Sequence, residues 1–107
     1  MIYQLYTEQT DIRRELKSFL KNRLYVPTWM AKPMFISYLN PSAYGEPLYI
    51  IDRVATAYYE NVPVAWAIRV HYNGVLFNSK NTWRFTRKVF RKQGIASRLV
   101  SMVENDV

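Results

Sequence analysis

Arg91, Lys92, Gln93, Gly94, Ile95 and Ala96, with Ser97 and Arg98 behind them, are the residues whose types and spacing best suit a chemical task. Two adjacent cations precede a glycine and an alanine. The run before them, Thr82 to Phe90, reads as a strand, and the run after them, Ile95 to Val103, reads as a helix. A strand that turns through small residues into a helix aims several backbone N–H groups at one point. The helix dipole adds partial positive charge there, so the junction suits a phosphate or pyrophosphate. Gly94 lets the main chain approach a ligand closely, Ala96 leaves room at the helix start, and Arg91 and Lys92 bring formal charge to the mouth. A strand–glycine–helix turn with no ligand has the same pattern, so the weight rests on the surroundings.

The charge around this stretch is one-sided. The 107 residues carry 15 Lys and Arg against 8 Asp and Glu, a net charge of +7. Acids and bases nearly balance from Met1 to Glu60. From Asn61 to Val103 there is no acid, whereas Arg69, Lys80, Arg84, Arg87, Lys88, Arg91, Lys92 and Arg98 are all basic. Such asymmetry implies an anionic partner: a nucleotide, a nucleic acid or an acidic protein. With no cysteine and a single histidine, disulfides, thiolate nucleophiles, the usual zinc sites and a His-rich metal site are all disfavoured, and no metal is expected. No run reaches the roughly 18 uninterrupted apolar residues of a membrane-spanning helix, and no secretory signal opens the chain. The expectation is one soluble cytoplasmic domain over residues 1–107 that makes no contact with membranes.

The elements that must position the loop follow from periodicity. Ile2 to Tyr6 alternates as a strand. Thr10 offers an N-cap with Asp11 in the first turn, and Ile12, Leu16, Phe19, Leu20 and Leu24 form one apolar stripe on a helix of about four turns. Its outer face carries Arg13, Arg14, Lys17 and Lys21. Pro33 suits the first turn of a short helix ending at Leu39, and Asn40 to Pro47 reads as a loop. Leu48 to Glu60 reads as a strand with a bulge near Asp52-Arg53. Asn61-Val62-Pro63 connects it to Val64–Tyr72, in which Val64, Trp66, Ile68, Val70 and Tyr72 face one way and Ala65, Ala67, Arg69 and His71 the other. So short a link predicts an antiparallel hairpin. Asn73-Gly74 signals a turn, and Val75 to Asn81 leads into the strand Thr82–Phe90. On that strand Trp83, Phe85, Arg87 and Val89 share a face. In the final helix Ile95, Leu99, Met102 and Val103 point toward the sheet. His71 reads as structural or solvent-facing.

The hexapeptide from Arg91 to Ala96 fits the pattern R/Q-x-x-G-x-G/A, and on that basis the chain resembles the GNAT superfamily of N-acetyltransferases. The order of strand, helix, helix, hairpin strands, strand, loop and helix is similar to the first half to two-thirds of a GNAT domain. The resemblance implies an α+β, partial GNAT-like fold: a mostly antiparallel sheet flanked by helices and ending after the phosphate-loop helix. It implies acetyl-coenzyme A as co-substrate. Its pantetheine arm would pair with main-chain groups at Arg84, Phe85 and Thr86, and its pyrophosphate would sit on Arg91, Lys92, Gln93, Gly94, Ile95, Ala96 and Ser97. Tyr25, Trp29 and Tyr38 become candidates to line an acceptor pocket, against the alternative that they are core aromatics. Two positions depart from the family pattern: Thr86 stands where an apolar residue is usual, and Lys88 where proline is frequent. The family's further strand, helix and final hairpin have no counterpart in these residues, so a C-terminally truncated member is expected. The tyrosine that often serves as general acid has no counterpart either. The strand Thr82–Phe90 would then be an unpaired edge, for which a second copy of the chain or another protein is the expected cover.

Two functions are compatible with this pattern. In the first, an amine on a small molecule or a protein lysine attacks the thioester of acetyl-coenzyme A, with a main-chain N–H near Thr86 stabilising the oxyanion. Glu46, Asp52, Glu60 or water are the candidates to deprotonate the amine, and no catalytic residue is assigned. In the second, a non-catalytic module of the same fold binds nucleic acid, with Trp66, Trp83, Phe85 and Tyr72 available for stacking, or binds an acidic protein, as a phage-type inhibitor of host machinery would.

Overall fold

The computed structural model describes residues 1–21, 26, 31–40, 49–73 and 78–105 of the chain. In order, these form strand β1 (Ile2–Tyr6), helix α1 (Gln9–Leu20), helix α2 (Ala31–Leu39), strands β2 (Tyr49–Tyr59), β3 (Val62–Asn73) and β4 (Asn78–Thr86), a 3₁₀ turn (Lys88–Phe90) and helix α3 (Ile95–Glu104). The fold is α+β, with an open antiparallel sheet of order β1-β2-β3-β4. Among the described residues, no helix is long and apolar enough to cross a membrane.

The alternation in β3 sorts the core into two unequal layers. Trp66, Ile68 and Val70 point toward α1 and α2, where they meet Ile12, Leu16, Phe19, Phe35 and Tyr38. Aromatic rings fill this layer: Trp66 lies 5.8 Å from Phe19, 5.3 Å from Phe35 and 6.0 Å from Phe85 between ring centroids. Each such buried ring contributes about 1.5–3 kcal/mol through apolar surface removed from water. The opposite face is thin. There Ala55, Ala57, Ala65 and Ala67 lie under Ile95, Leu99 and Val103 of α3. Four methyl-sized side chains let the helix sit close on the sheet, which fixes where its N-terminus falls. Val64 packs with this second layer and leaves the face expected from strict alternation. The register shift between Ala57 and Tyr58, opposite Pro63, supplies the twist that turns it.

The bulge expected near Asp52-Arg53 is present as a register shift between Ile51 and Arg53. It frees Asp52 to accept from Arg69, Nε to Oδ1 at 2.9 Å and Nη2 to Oδ2 at 2.7 Å, so the nearly buried guanidinium is matched by a forked carboxylate. Arg53, one residue on, donates through Nη1 to the carbonyls of Val103 and Asn105 at the C-terminus of α3. A cation there also suits the negative end of the helix dipole.

Several boundaries differ from expectation. Helix α1 begins two residues earlier, with Glu8 as N-cap in extended conformation and Thr10 inside the helix. Gln9 explains this, because its side chain is drawn inward to donate to the Ile51 carbonyl at 2.9 Å. The link between β2 and β3 is only Glu60-Asn61, both with positive φ (51° and 67°), so Val62 and Pro63 belong to the strand. A two-residue turn of this hand matches the strand twist. Strand β4 starts at Asn78 and stops at Thr86, so the expected strand Thr82–Phe90 is displaced toward the N-terminus. The Arg87 amide makes the last ladder bond, to the Val64 carbonyl at 2.9 Å, and the chain then winds into the 3₁₀ turn. The expected positions Leu24, Tyr25 and Trp29, most of the loop 40–47, and Gly74 lie outside the described residues.

Candidate anion-binding site

Among the described residues strand β4 pairs only with β3, and its other side is an open edge of the sheet. The bond from Arg87 to Val64 sets the phase of the ladder. Antiparallel pairs alternate between hydrogen-bonded and non-hydrogen-bonded, so Phe85 exchanges its main-chain bonds with Trp66, while the N–H and C=O of Arg84 and Thr86 turn outward. Of the three residues expected to offer main-chain groups, Phe85 is thus committed to β3. Its side chain is committed too, packed on Trp66.

From Thr86 the chain passes through the 3₁₀ turn and a tight loop into α3. Lys92 (φ 66°) and Gly94 (φ 76°) both adopt the left-handed conformation. Gly94 tolerates it without penalty, whereas a non-glycine residue such as Lys92 carries a cost of about 1 kcal/mol. Local strain of this sort persists where the surrounding structure over-determines it. Gly94 is the N-cap of α3 and no side chain caps the helix. The Arg91 amide donates to the Lys88 carbonyl at 3.3 Å, and the Arg98 amide to the Gly94 carbonyl at 3.2 Å. Between them, the amides of Lys92 to Ser97 have no hydrogen-bond partner among the described residues. These orphan donors lie at the positive end of a helix whose other end Arg53 pins, an arrangement with the polarity to receive an anion.

Edge and loop enclose one cavity of about 450 Å³, lined by Arg84, Phe85, Thr86, Phe90, Arg91, Lys92, Gly94, Ile95, Ala96 and Ser97. Of the ten residues expected to hold the cofactor, nine therefore come together. Gln93 turns away from the cavity, its amide reaching back to the Val89 carbonyl at 3.5 Å. Phe90 is the lining residue that sequence reasoning missed, because the strand was expected to run through it. Its ring leans on Tyr59 at 5.4 Å, which props the 3₁₀ turn against the end of β2. Arg91 is oriented by its Nε, which donates to the outward carbonyl of Thr86 at 3.1 Å. Arg98 lies elsewhere, its guanidinium 3.9 Å from the centroid of the Tyr3 ring, where it docks α3 on β1.

No acid lines this cavity among the described residues. Asp52 is occupied by Arg69, Glu60 sits in the β2–β3 turn, and Glu46 lies outside the described residues. Tyr38, a candidate for an acceptor pocket, is instead a core residue, 2% exposed, whose hydroxyl donates to Gln9 Oε1 at 2.5 Å. Burial pushes its hydroxyl above the ordinary tyrosine range. Trp66 is likewise buried, which removes it from any stacking surface, and Trp83 packs against the same core. The side chain of Tyr72 is outside the described residues. His71 is half-buried in β3, opposite Ile50 and Lys80. Among the described residues no group of three or more His, Cys, Asp or Glu could hold a metal ion.

No protein-family model matches the chain, no curated protein matches its sequence, and no solved structure matches its fold.

Proposed function

We propose that the chain is an N-acetyltransferase-like protein of GNAT type that binds acetyl-coenzyme A along the β4 edge and at the N-terminus of α3. The observation that carries the reading is a cavity, without an acid among the described residues that line it, that joins outward main-chain groups of Arg84 and Thr86 to the unpartnered amides of Lys92 to Ser97. An extended arm bearing amide groups has the hydrogen-bonding pattern of a missing strand, and a pyrophosphate has the charge and size for those amides. The order of elements, with α1 and α2 on one face and α3 on the other, agrees with the GNAT resemblance.

Attack of a neutral amine on the thioester carbonyl forms the C–N bond, breaks the C–S bond and returns the proton to the departing thiolate or to water. The chain's contribution is position and main-chain electrostatics, with the Thr86 amide facing the edge where the oxyanion would develop. The same edge is the surface on which a second copy of the chain would add a strand, so cofactor and partner compete for it.

The test is a calorimetric titration of acetyl-coenzyme A into the purified chain, repeated with Gly94→Trp. Saturable binding that the tryptophan abolishes, followed by release of free thiol with an amine acceptor, establishes the activity. No binding, together with salt-sensitive retention of oligonucleotides, establishes instead a basic binding module. The burial of Trp66 and the packing of Trp83 disfavour that alternative, since a stacking platform needs exposed rings.

A further inference from the structure

The sheet has a second open edge. Among the described residues β1 pairs only with β2, in a register without a shift. The phase of the ladder carries across the sheet to it. Trp66 directs its main-chain groups to Phe85, so it turns away from Thr56, and Thr56 directs its own to Gln4. The N–H and C=O of Tyr3 and Leu5 therefore point outward. The strand Ile2-Tyr3-Gln4-Leu5-Tyr6 contains neither a charge nor a proline, two of the devices that blunt such an edge. It supplies no buried side chain to either core layer, and Met1, Leu5 and Ile2 (62%) are exposed although apolar. The edge is nevertheless held from both faces of the sheet. The Arg98 guanidinium lies 3.9 Å from the centroid of the Tyr3 ring, and the Tyr6 hydroxyl lies 2.6 Å from that of Tyr58.

We infer that β1 is the surface through which two copies of this chain pair, strand against antiparallel strand, about a two-fold axis at Gln4. In that register the strand is complementary to itself. Each Tyr3 faces the second copy's Leu5 and exchanges both main-chain bonds with it, each Ile2 faces the second copy's Tyr6, and Gln4 faces Gln4. Charge separates this edge from the other. Each copy carries +7, and pairing along β4 would bring together strands that hold Lys80 and Arg84, whereas β1 lets the copies meet across a neutral strip. The result is one continuous sheet with β4 at both outer edges, so the second copy and a ligand at β4 no longer compete. A five-residue strand buries less than the roughly 800 Å² per partner of a stable interface, so the dissociation constant is expected at about 10–100 μM. None of this rests on the acetyl-transfer reading.

The experiment is sedimentation equilibrium of the full chain over about 5–500 μM, repeated with Gln4→Lys and Gln4→Glu at this exposed position. The parent chain is expected to pass from monomer to dimer across that range. Either variant alone sets like charges face to face at the axis and should weaken the dimer about fivefold or more. An equimolar mixture of the two should recover the parent association, because lysine then meets glutamate. Hydrogen exchange on the parent chain should show protection at the Tyr3 and Leu5 amides that grows with concentration, and none gained at Arg84 and Thr86. A chain still monomeric at about 500 μM, a dimer that both variants leave intact, or a mixture that recovers nothing would each overturn the inference. Protection that grows at Arg84 and Thr86 in place of Tyr3 and Leu5 would also overturn it, and would put the second copy on β4.

Discussion

Arg91 Nε donates to the carbonyl of Thr86 at 3.1 Å, tying the loop back to the last residue of the edge strand. The bond joins two residues that line the cavity and so holds the guanidinium at its wall. Removing it frees the carbonyl and releases the cation. Arg91→Met is therefore expected to weaken acetyl-coenzyme A binding about tenfold, measured by calorimetry, with almost no change in melting temperature because Arg91 is exposed. Lys in place of Arg91 should restore only part of the loss, since an ammonium cannot reproduce the planar fork.

Gly94→Ala separates backbone strain from steric blockage. A Cβ at this position meets no heavy atom within 4 Å, so no clash arises, yet φ stays at 76°. The expected cost is about 1 kcal/mol of stability, read as a lower denaturant midpoint with unchanged slope. A loss far larger than this would mean that the loop is held more rigidly than its exposure suggests.

Packing beneath α3 should be coupled to binding. Ala67 is fully buried under the helix, and Ala67→Leu overfills that layer at a cost of about 1–3 kcal/mol. The helix must lift, which carries the amides of Ile95, Ala96 and Ser97 away from the β4 edge. Phe35→Leu loosens the opposite face by a comparable amount without touching α3. Cofactor affinity, measured where both variants remain folded, should drop for the first and stay near the parent value for the second.

Alkaline stability should report on Tyr58. Its hydroxyl donates to Glu15 Oε1 at 2.5 Å and lies 2.6 Å from the Tyr6 hydroxyl. Burial first, then the bond to Glu15, pushes its ionisation well above the ordinary value of 10.0, and burial also raises Tyr6. Below that value both folded and unfolded chains keep the proton. Above it the unfolded chain loses its proton while the folded chain retains it, so stability falls as pH rises past 10.0. Tyr58→Phe should be less stable at neutral pH by about 1 kcal/mol and should show a shallower alkaline decline in thermal melts.

Much of the frame was legible from residue order because it rests on local periodicity. The stripe of Ile12, Leu16 and Phe19 and the alternation of Trp66, Ile68 and Val70 each have one energetically acceptable way to hide from water. The small residues around Gly94, next to two cations, likewise marked the strand-to-helix junction, since an αL position and a helix start are encoded within a few neighbours. What periodicity could not reveal was set by contacts distant in sequence. Gln9 reaching Ile51 moved the start of α1, and Arg87 bonding Val64 ended β4 early and brought Phe90 into the cavity wall. The outward phase of Thr86 and the burial of Tyr38 also depend on partners far along the chain, as does the pinning of α3 by Arg53. Residue types alone thus determined that a positively charged loop would join a strand to a final helix. Only the tertiary structure decided which amides that loop leaves open and which side chains face them, because both depend on the ladder register and on how closely the alanine layer lets the helix approach.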